Sequence, residues 1–166
     1  MEDPKKKQLT DLLEYMFDHP DENGYYYVDY WDPDKEDEEL NPFEWKAVIN
    51  GPIGSPYEGG YYKLKVTFKD NFPKSGPIIK FITKIYHCNI SDGGDICLNI
   101  IKYWDPDKWD KNKTMDFIFK SIYDMLTVQN PKDAYYGRGE EYINKRDEFD
   151  KKAREYRDKY ARLNQL

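Results

Sequence analysis

Cysteine and histidine are scarce in this chain, two of each among 166 residues, and the scarcity removes whole classes of chemistry. There are no paired C-x-x-C knuckles, and His87, Cys88, Cys97 and Asp95 make a poor zinc set, so no metal and no other cofactor is expected. No apolar run approaches the ~20 residues of a membrane span, and the start MEDPKKKQLT lacks the apolar core of a signal peptide. The expectation is an intracellular chain, in the cytoplasm, the nucleus or both, with no membrane partner and with free thiols rather than a disulfide. A basic surplus is missing as well. Lys and Arg number 26 against 32 Asp and Glu, a net charge of −6, so no nucleic-acid face is expected. An acidic surface suits partners with basic patches.

What the chain has instead is aromatic bulk. Hydrophobic residues make up only 39%, but 16 Tyr and 4 Trp supply amphipathic side chains able to fill a core. The length fits one domain spanning residues 1–166, expected as a monomer.

Leu9, Leu12, Leu13, Met16 and Phe17 fall on one helical stripe, which begins at Lys5, Lys6 and Lys7 and stops at His19-Pro20. Three lysines in a first turn oppose the helix dipole, at ~0.3–1 kcal/mol per charge before screening. Residues 24–31 are β-prone, and the acidic residues 32–40 read as a solvated loop. Trp45, Ala47 and Ile49 alternate with polar neighbours. After the turn-forming GPIGSPYEGG, Tyr62, Leu64, Val66 and Phe68 do so more cleanly, and Ile79 and Phe81 share one side of a fourth run. Strands joined by short turns, with no helical pattern between them, describe an antiparallel meander. Met115, Ile118, Phe119, Ile122 and Leu126 then mark a second helix, with Thr114 as N-cap and Asn130-Pro131 as stop. Phe149, Ala153, Tyr156, Tyr160 and Leu163 mark a C-terminal one. The fold class is therefore α+β: an N-terminal helix, a four-stranded antiparallel meander, a long loop, a central helix and C-terminal helices.

That long loop, Ile85 to Ile101, holds both cysteines, His87 and Gly93-Gly94. A lone cysteine is more often a small buried hydrophobe. A tight turn through Gly93, Gly94 and Asp95 directly before Cys97 favours exposure, and His87 is a neighbour able in principle to lower a thiol pKa. A cysteine hydrolase with Asn89 or an Asp as third member is one reading, although no coherent acid-base set is visible. A purely structural domain is another.

The order GPIGSPYEGG, Phe72-Pro73, His87-Cys88-Asn89-Ile90, Asp95-Ile96-Cys97-Leu98 and Asn130-Pro131-Lys132-Asp133 resembles the ubiquitin-conjugating enzymes across nearly the whole chain. The signature is a His-Pro-Asn tripeptide followed by an Ile-Cys-Leu nucleophile, and here Cys88 replaces the proline. The resemblance implies that Cys97 takes ubiquitin from an activating enzyme as a thioester, in an ATP-dependent pathway, and yields it to a substrate lysine, usually with a ligase whose class the sequence does not show. It implies that Asn89 stabilises an oxyanion or holds the loop, that Asp133 orients the incoming lysine, and that His87 is structural. Lys5, Lys6 and Lys7 match the surface for the activating enzyme. The ligase surface departs: Lys74 replaces an aromatic, and either Trp104 or Trp109 stands for the family tryptophan in a segment about four residues longer. Asn99 replaces a frequent aspartate. Lys120 and Asp124 fall where a donor ubiquitin packs. Cys88 is expected to be a spectator, and a silent scaffold that binds ubiquitin or ligases is the rival reading.

Overall fold

Alternation and apolar stripes become elements much as their periods require, in a computed structural model that describes residues 1, 3–29 and 41–166. Helix α1 spans Pro4–Asp18. Asp3 caps it by accepting the Lys5 amide at 3.0 Å, and Pro4 takes the first turn, where its missing N–H costs nothing. Leu9, Leu12, Leu13 and Met16 are buried, whereas Phe17, read as part of the stripe, is 38% exposed.

Strands β1 (Tyr26–Asp29), β2 (Glu44–Asn50), β3 (Tyr61–Thr67) and β4 (Ile78–Phe81) form an antiparallel sheet in the order β1-β2-β3-β4. This is the expected meander, although the first strand begins two residues after Gly24. Tyr30, Trp31 and the acidic residues 32–40 lie outside the described residues. Register sets the faces. Trp45, Val66 and Ile79 share one cross-strand row, and Ala47, Leu64 and Phe81 the next, all of them buried. Between these rows, on the opposite face, Lys46, Lys65 and Lys80 stand directly across from one another. Like charges so placed repel, and pairs from Lys65 to Glu44 and from Lys80 to Asp95, each at 3.2 Å, offset the repulsion.

A short helix α2 (Asn99–Lys102) follows Cys97, in the stretch the sequence left irregular. Helix α3 (Thr114–Thr127) buries Met115, Ile118, Phe119, Ile122, Met125 and Leu126 against the sheet, with Phe119 stacked on Tyr26 at 4.8 Å. Thr114 is not its cap. Lys113 holds that position with no side-chain bond, because the Thr114 hydroxyl is engaged in accepting the Asp110 amide at 2.9 Å. A cap is worth ~1 kcal/mol and each large buried side chain ~1.5–3 kcal/mol, so the stripe decides. Helices α4 (Arg138–Asn144) and α5 (Arg146–Tyr160) complete the fold. Phe149 and Ala153 are buried as expected, but Leu163 lies past the end of α5 and is 61% exposed. The stripe therefore stops one turn earlier than its spacing suggested.

Candidate active site

The loop after β4 is fastened before it reaches the thiol. Ile85, Cys88 and Ile90 are buried, and His87 is completely so. His87 Nε2 meets the Met125 carbonyl of α3 at 2.8 Å, and Nδ1 accepts the Asn89 amide at 2.9 Å. That second bond fixes the proton on Nε2, leaving a donor there for the carbonyl. Burial pushes the His87 pKa down to about 4, so the ring is neutral at pH 7 and is spent on two structural bonds.

Asn89 is 1% exposed, and its whole amide is engaged. Nδ2 donates to the carbonyls of Asn130 at 2.7 Å and Asp133 at 3.1 Å, while Oδ1 accepts the Asn130 amide at 2.8 Å. Its backbone carbonyl accepts the Cys97 amide at 3.0 Å. Between the two, the chain turns back through a Ser91 clasp. The Asp95 and Gly94 amides donate to Ser91 Oγ and O, both at 2.9 Å. Gly94 has φ +87°, and its carbonyl accepts the Phe81 amide of β4 at 2.9 Å. A Cβ at Gly94 would lie 2.1 Å from the Phe81 oxygen, so only glycine permits this approach.

Cys97 emerges half-buried into an open groove of about 290 Å³, whose lining includes Asn89, Leu98, Asn99, Phe117, Asn130 and Asp133. Asp133 ends a short 3₁₀ turn, Pro131–Asp133, capped by Asn130. Its exposed carboxylate is 3.4 Å from Asn130 Nδ2. The three residues expected around the chemistry thus line one groove, although Asp133 arrives from beyond the far end of α3. Cys88 is fully buried, its Sγ 3.4 Å from Asn89 Oδ1, and burial pushes its thiol up to about 11.

Two residues that sequence reasoning missed also bear on the site. Lys102, exposed at the end of α2, is raised in pKa, first by Tyr103 and then by Asp133 and Cys97. Its position one turn past the thiol was a signal available in the chain. Arg138 was not legible: it is 8% exposed and donates to the carbonyls of Ile90 at 3.1 Å and His87 at 3.4 Å, and to Asp92. Gly139 beside it permits the close packing, since a Cβ there would meet the Pro131 oxygen at 2.2 Å. Among the described residues, no group of three or more His, Cys, Asp or Glu is arranged to hold a metal, and no helix is long and apolar enough to cross a membrane.

Residues 26–157 match the family model described as ubiquitin-conjugating enzyme. The chain belongs to the ubiquitin-conjugating enzyme family. It is 41% identical to a protein of Arabidopsis thaliana named probable ubiquitin-conjugating enzyme E2 31, over 73% of this chain and 77% of that one. A relative from Acanthamoeba polyphaga mimivirus, named probable ubiquitin-conjugating enzyme E2 L460, is 38% identical over 74% and 77%. The fold matches the E2 domain of a Toxoplasma gondii ubiquitin conjugating enzyme with a TM-score of 0.76, at 27% identity over 93% of this chain and 99% of that one.

The residues that the resemblance assigns to partner surfaces are placed as follows. Of the basic triplet, Lys5 donates to the Phe72 carbonyl at 2.5 Å and Lys7 pairs with Asp11 at 3.1 Å; Lys6 is half-buried. Lys74 is exposed. Trp104 donates to the Pro73 carbonyl at 2.8 Å, and Trp109 packs edge-on against Phe72 at 4.7 Å, so both tryptophans anchor the longer segment and Tyr103 faces solvent at 69% exposure. On the outer side of α3, Lys120 is drawn to Asp116 at 3.0 Å and to Asp21 at 3.8 Å, while Asp124 stays exposed.

Proposed function

We propose that Cys97 carries ubiquitin as a thioester and transfers it to a lysine of a substrate protein, with a ligase bringing the substrate. The observation that supports this reading most is the groove itself, which opens a half-exposed thiol toward solvent between the Asn89 side chain and the Asp133 carboxylate. In the first step the Cys97 thiolate attacks the thioester carbon on the activating enzyme. A new C–S bond forms, the old one breaks, and the activating enzyme's thiolate leaves. ATP is consumed earlier, in making that first thioester. In the second step a neutral lysine amine attacks the same carbon, a C–N bond replaces the C–S bond, the amine gives up a proton, and Cys97 departs as thiolate.

Each residue has a part in this reading. Asp133 on the rim orients the lysine amine, and with Asn99 in place of an aspartate the guidance rests on it more heavily. Asn89 is best suited to holding the Asp133 turn beside the thiol, since both of its N–H groups are occupied by carbonyls; contact with an oxyanion would require one of them to let go. Lys5, Lys6 and Lys7 form the edge for the activating enzyme, and Lys74 with the Trp104–Trp109 segment the edge for a ligase.

The test is direct. Incubation with activating enzyme, ATP and ubiquitin should give an adduct on a non-reducing gel that thiol reagents remove and that Cys97→Ala abolishes. The exposed Lys74 favours a second reading, a scaffold that binds ubiquitin or ligases without carrying an acyl group. No adduct with any of several ubiquitin-like modifiers would decide for it.

A further inference from the structure

A proline at position 88 has no amide hydrogen; Cys88 has one, and the structure shows where it goes. The buried Cys88 amide donates to Gln129 Oε1 at 2.8 Å. Gln129, only 7% exposed, uses its Nε2 to donate to the Tyr57 hydroxyl at 2.9 Å, and that hydroxyl donates to the Tyr86 carbonyl at 2.5 Å. The order of donors leaves one orientation for the amide. Reversed, Nε2 would face the Cys88 N–H and two donors would oppose each other in a dry site. Burial holds the Tyr57 phenol protonated, its pKa raised well above the ordinary value, so it remains a donor to Tyr86.

Both ends of this chain of bonds land on the active-site loop, at Tyr86 and at Cys88, on either side of His87. The next residue is Asn89, whose carbonyl holds the Cys97 amide. Cysteine leaves φ free where proline would lock it, so the pose of residues 87–89 depends on whatever restrains the Cys88 peptide. Each partner is unfavourable without the other. A proline at 88 would leave Gln129 Oε1 without its donor, and an apolar residue at 129 would strand a buried N–H.

We propose that Gln129 is a positioning residue of this active site, and that Cys88 and Gln129 form a pair that restrains the loop by a hydrogen bond where other members use a proline ring. The inference rests on the acyl-transfer reading above for its kinetic consequence, but the restraint itself can be observed without ubiquitin. Leu at 129 keeps the bulk and removes the acceptor. The pair makes a specific demand: losing the acceptor matters only while residue 88 carries an amide hydrogen.

The experiment compares wild type, Gln129→Leu, Cys88→Pro and the double variant Cys88→Pro/Gln129→Leu. Transfer from preformed thioester to free lysine is followed in single turnover, and hydrogen exchange of the Cys97 amide is followed without ubiquitin. Gln129→Leu is expected to slow transfer about tenfold and to speed exchange at Cys97. The double variant is expected to return both to within about threefold of wild type, a rescue that a merely structural glutamine would not give. If Gln129→Leu alone fails to fold, recovery of a cooperative melt in the double variant supports the pairing, and its absence overturns it. The proposal is also overturned if Gln129→Leu transfers at the wild-type rate, or if it slows the Cys88→Pro background by the same factor. Failure of wild type to form a thioester would instead count against the acyl-transfer reading, because the exchange rates report the clamp independently.

Discussion

Asn89 and Asn130 face each other as a reciprocal amide pair: Asn89 Nδ2 donates to the Asn130 carbonyl at 2.7 Å, and the Asn130 amide returns a bond to Asn89 Oδ1 at 2.8 Å. The loop bearing the thiol and the turn bearing Asp133 are therefore one mechanical unit. Asn89→Asp keeps the shape but sets a carboxylate oxygen against two carbonyls. With a buried unmet acceptor costing ~1–3 kcal/mol, single-turnover lysine transfer is expected to fall about 10- to 100-fold, with a lower melting temperature. Unchanged transfer with a lowered melt would show that the pair serves the fold alone.

The two thiols differ in access. Cys88 is sealed and its pKa is pushed up to about 11, whereas Cys97 borders the groove. Iodoacetamide at pH 7.5 is expected to alkylate Cys97 and leave Cys88 untouched in the folded protein, as read by peptide mass spectrometry. Cys88→Ser is expected to retain thioester formation; loss of the adduct in that variant would reassign the nucleophile.

His87 couples stability to pH. Its folded pKa of about 4 lies below the ordinary value of 6.5, so the unfolded chain takes up the proton first. Stability from this group is complete above about pH 6.5 and is lost as pH falls toward 4, by about 3 kcal/mol in all. Urea midpoints measured from pH 7 to pH 4 should decline, and the decline should be shallower in His87→Gln, which starts from a lower midpoint. Parallel slopes in the two proteins would show that the ring does not carry the effect.

At Gly94 the backbone is left-handed and the space for a Cβ is already occupied by the Phe81 carbonyl. Gly94→Ala is expected to cost ~1–3 kcal/mol from φ alone, with the steric displacement added to it. The turn then shifts and Cys97 with it, so thioester formation should slow more than the melting temperature predicts. Normal charging kinetics in a destabilised protein would show that the turn does not aim the thiol.

Periodicity made much of the fold legible, because it is written within single segments. The stripe Met115, Ile118, Phe119, Ile122 and Leu126 and the alternation Tyr62, Leu64, Val66 required no knowledge of neighbours. The cap at Thr114 was misread because its hydroxyl answers to a turn amide at Asp110 rather than to the helix. Cys97, Asn89 and Asp133 were marked by the motifs that carry the family resemblance. Gln129 and Arg138 were not marked by anything local. Their roles arise from reaching 41 and 48 residues back to Cys88 and Ile90, and neither a buried arginine nor a glutamine past a helix end advertises its partner in the linear chain. The same holds for Lys120, which looked like an exposed charge until Asp21 came into range.

Strand β4 is the last strand of the sheet, and an unprotected margin of that kind invites other chains to add to it. Here the segment carrying the thiol occupies that position: the Phe81 amide is bound by Gly94, and Lys80 pairs with Asp95 in an isolated antiparallel bridge. The loop bearing Cys97 thereby covers this margin as well, and lesions that loosen it are expected to yield insoluble protein.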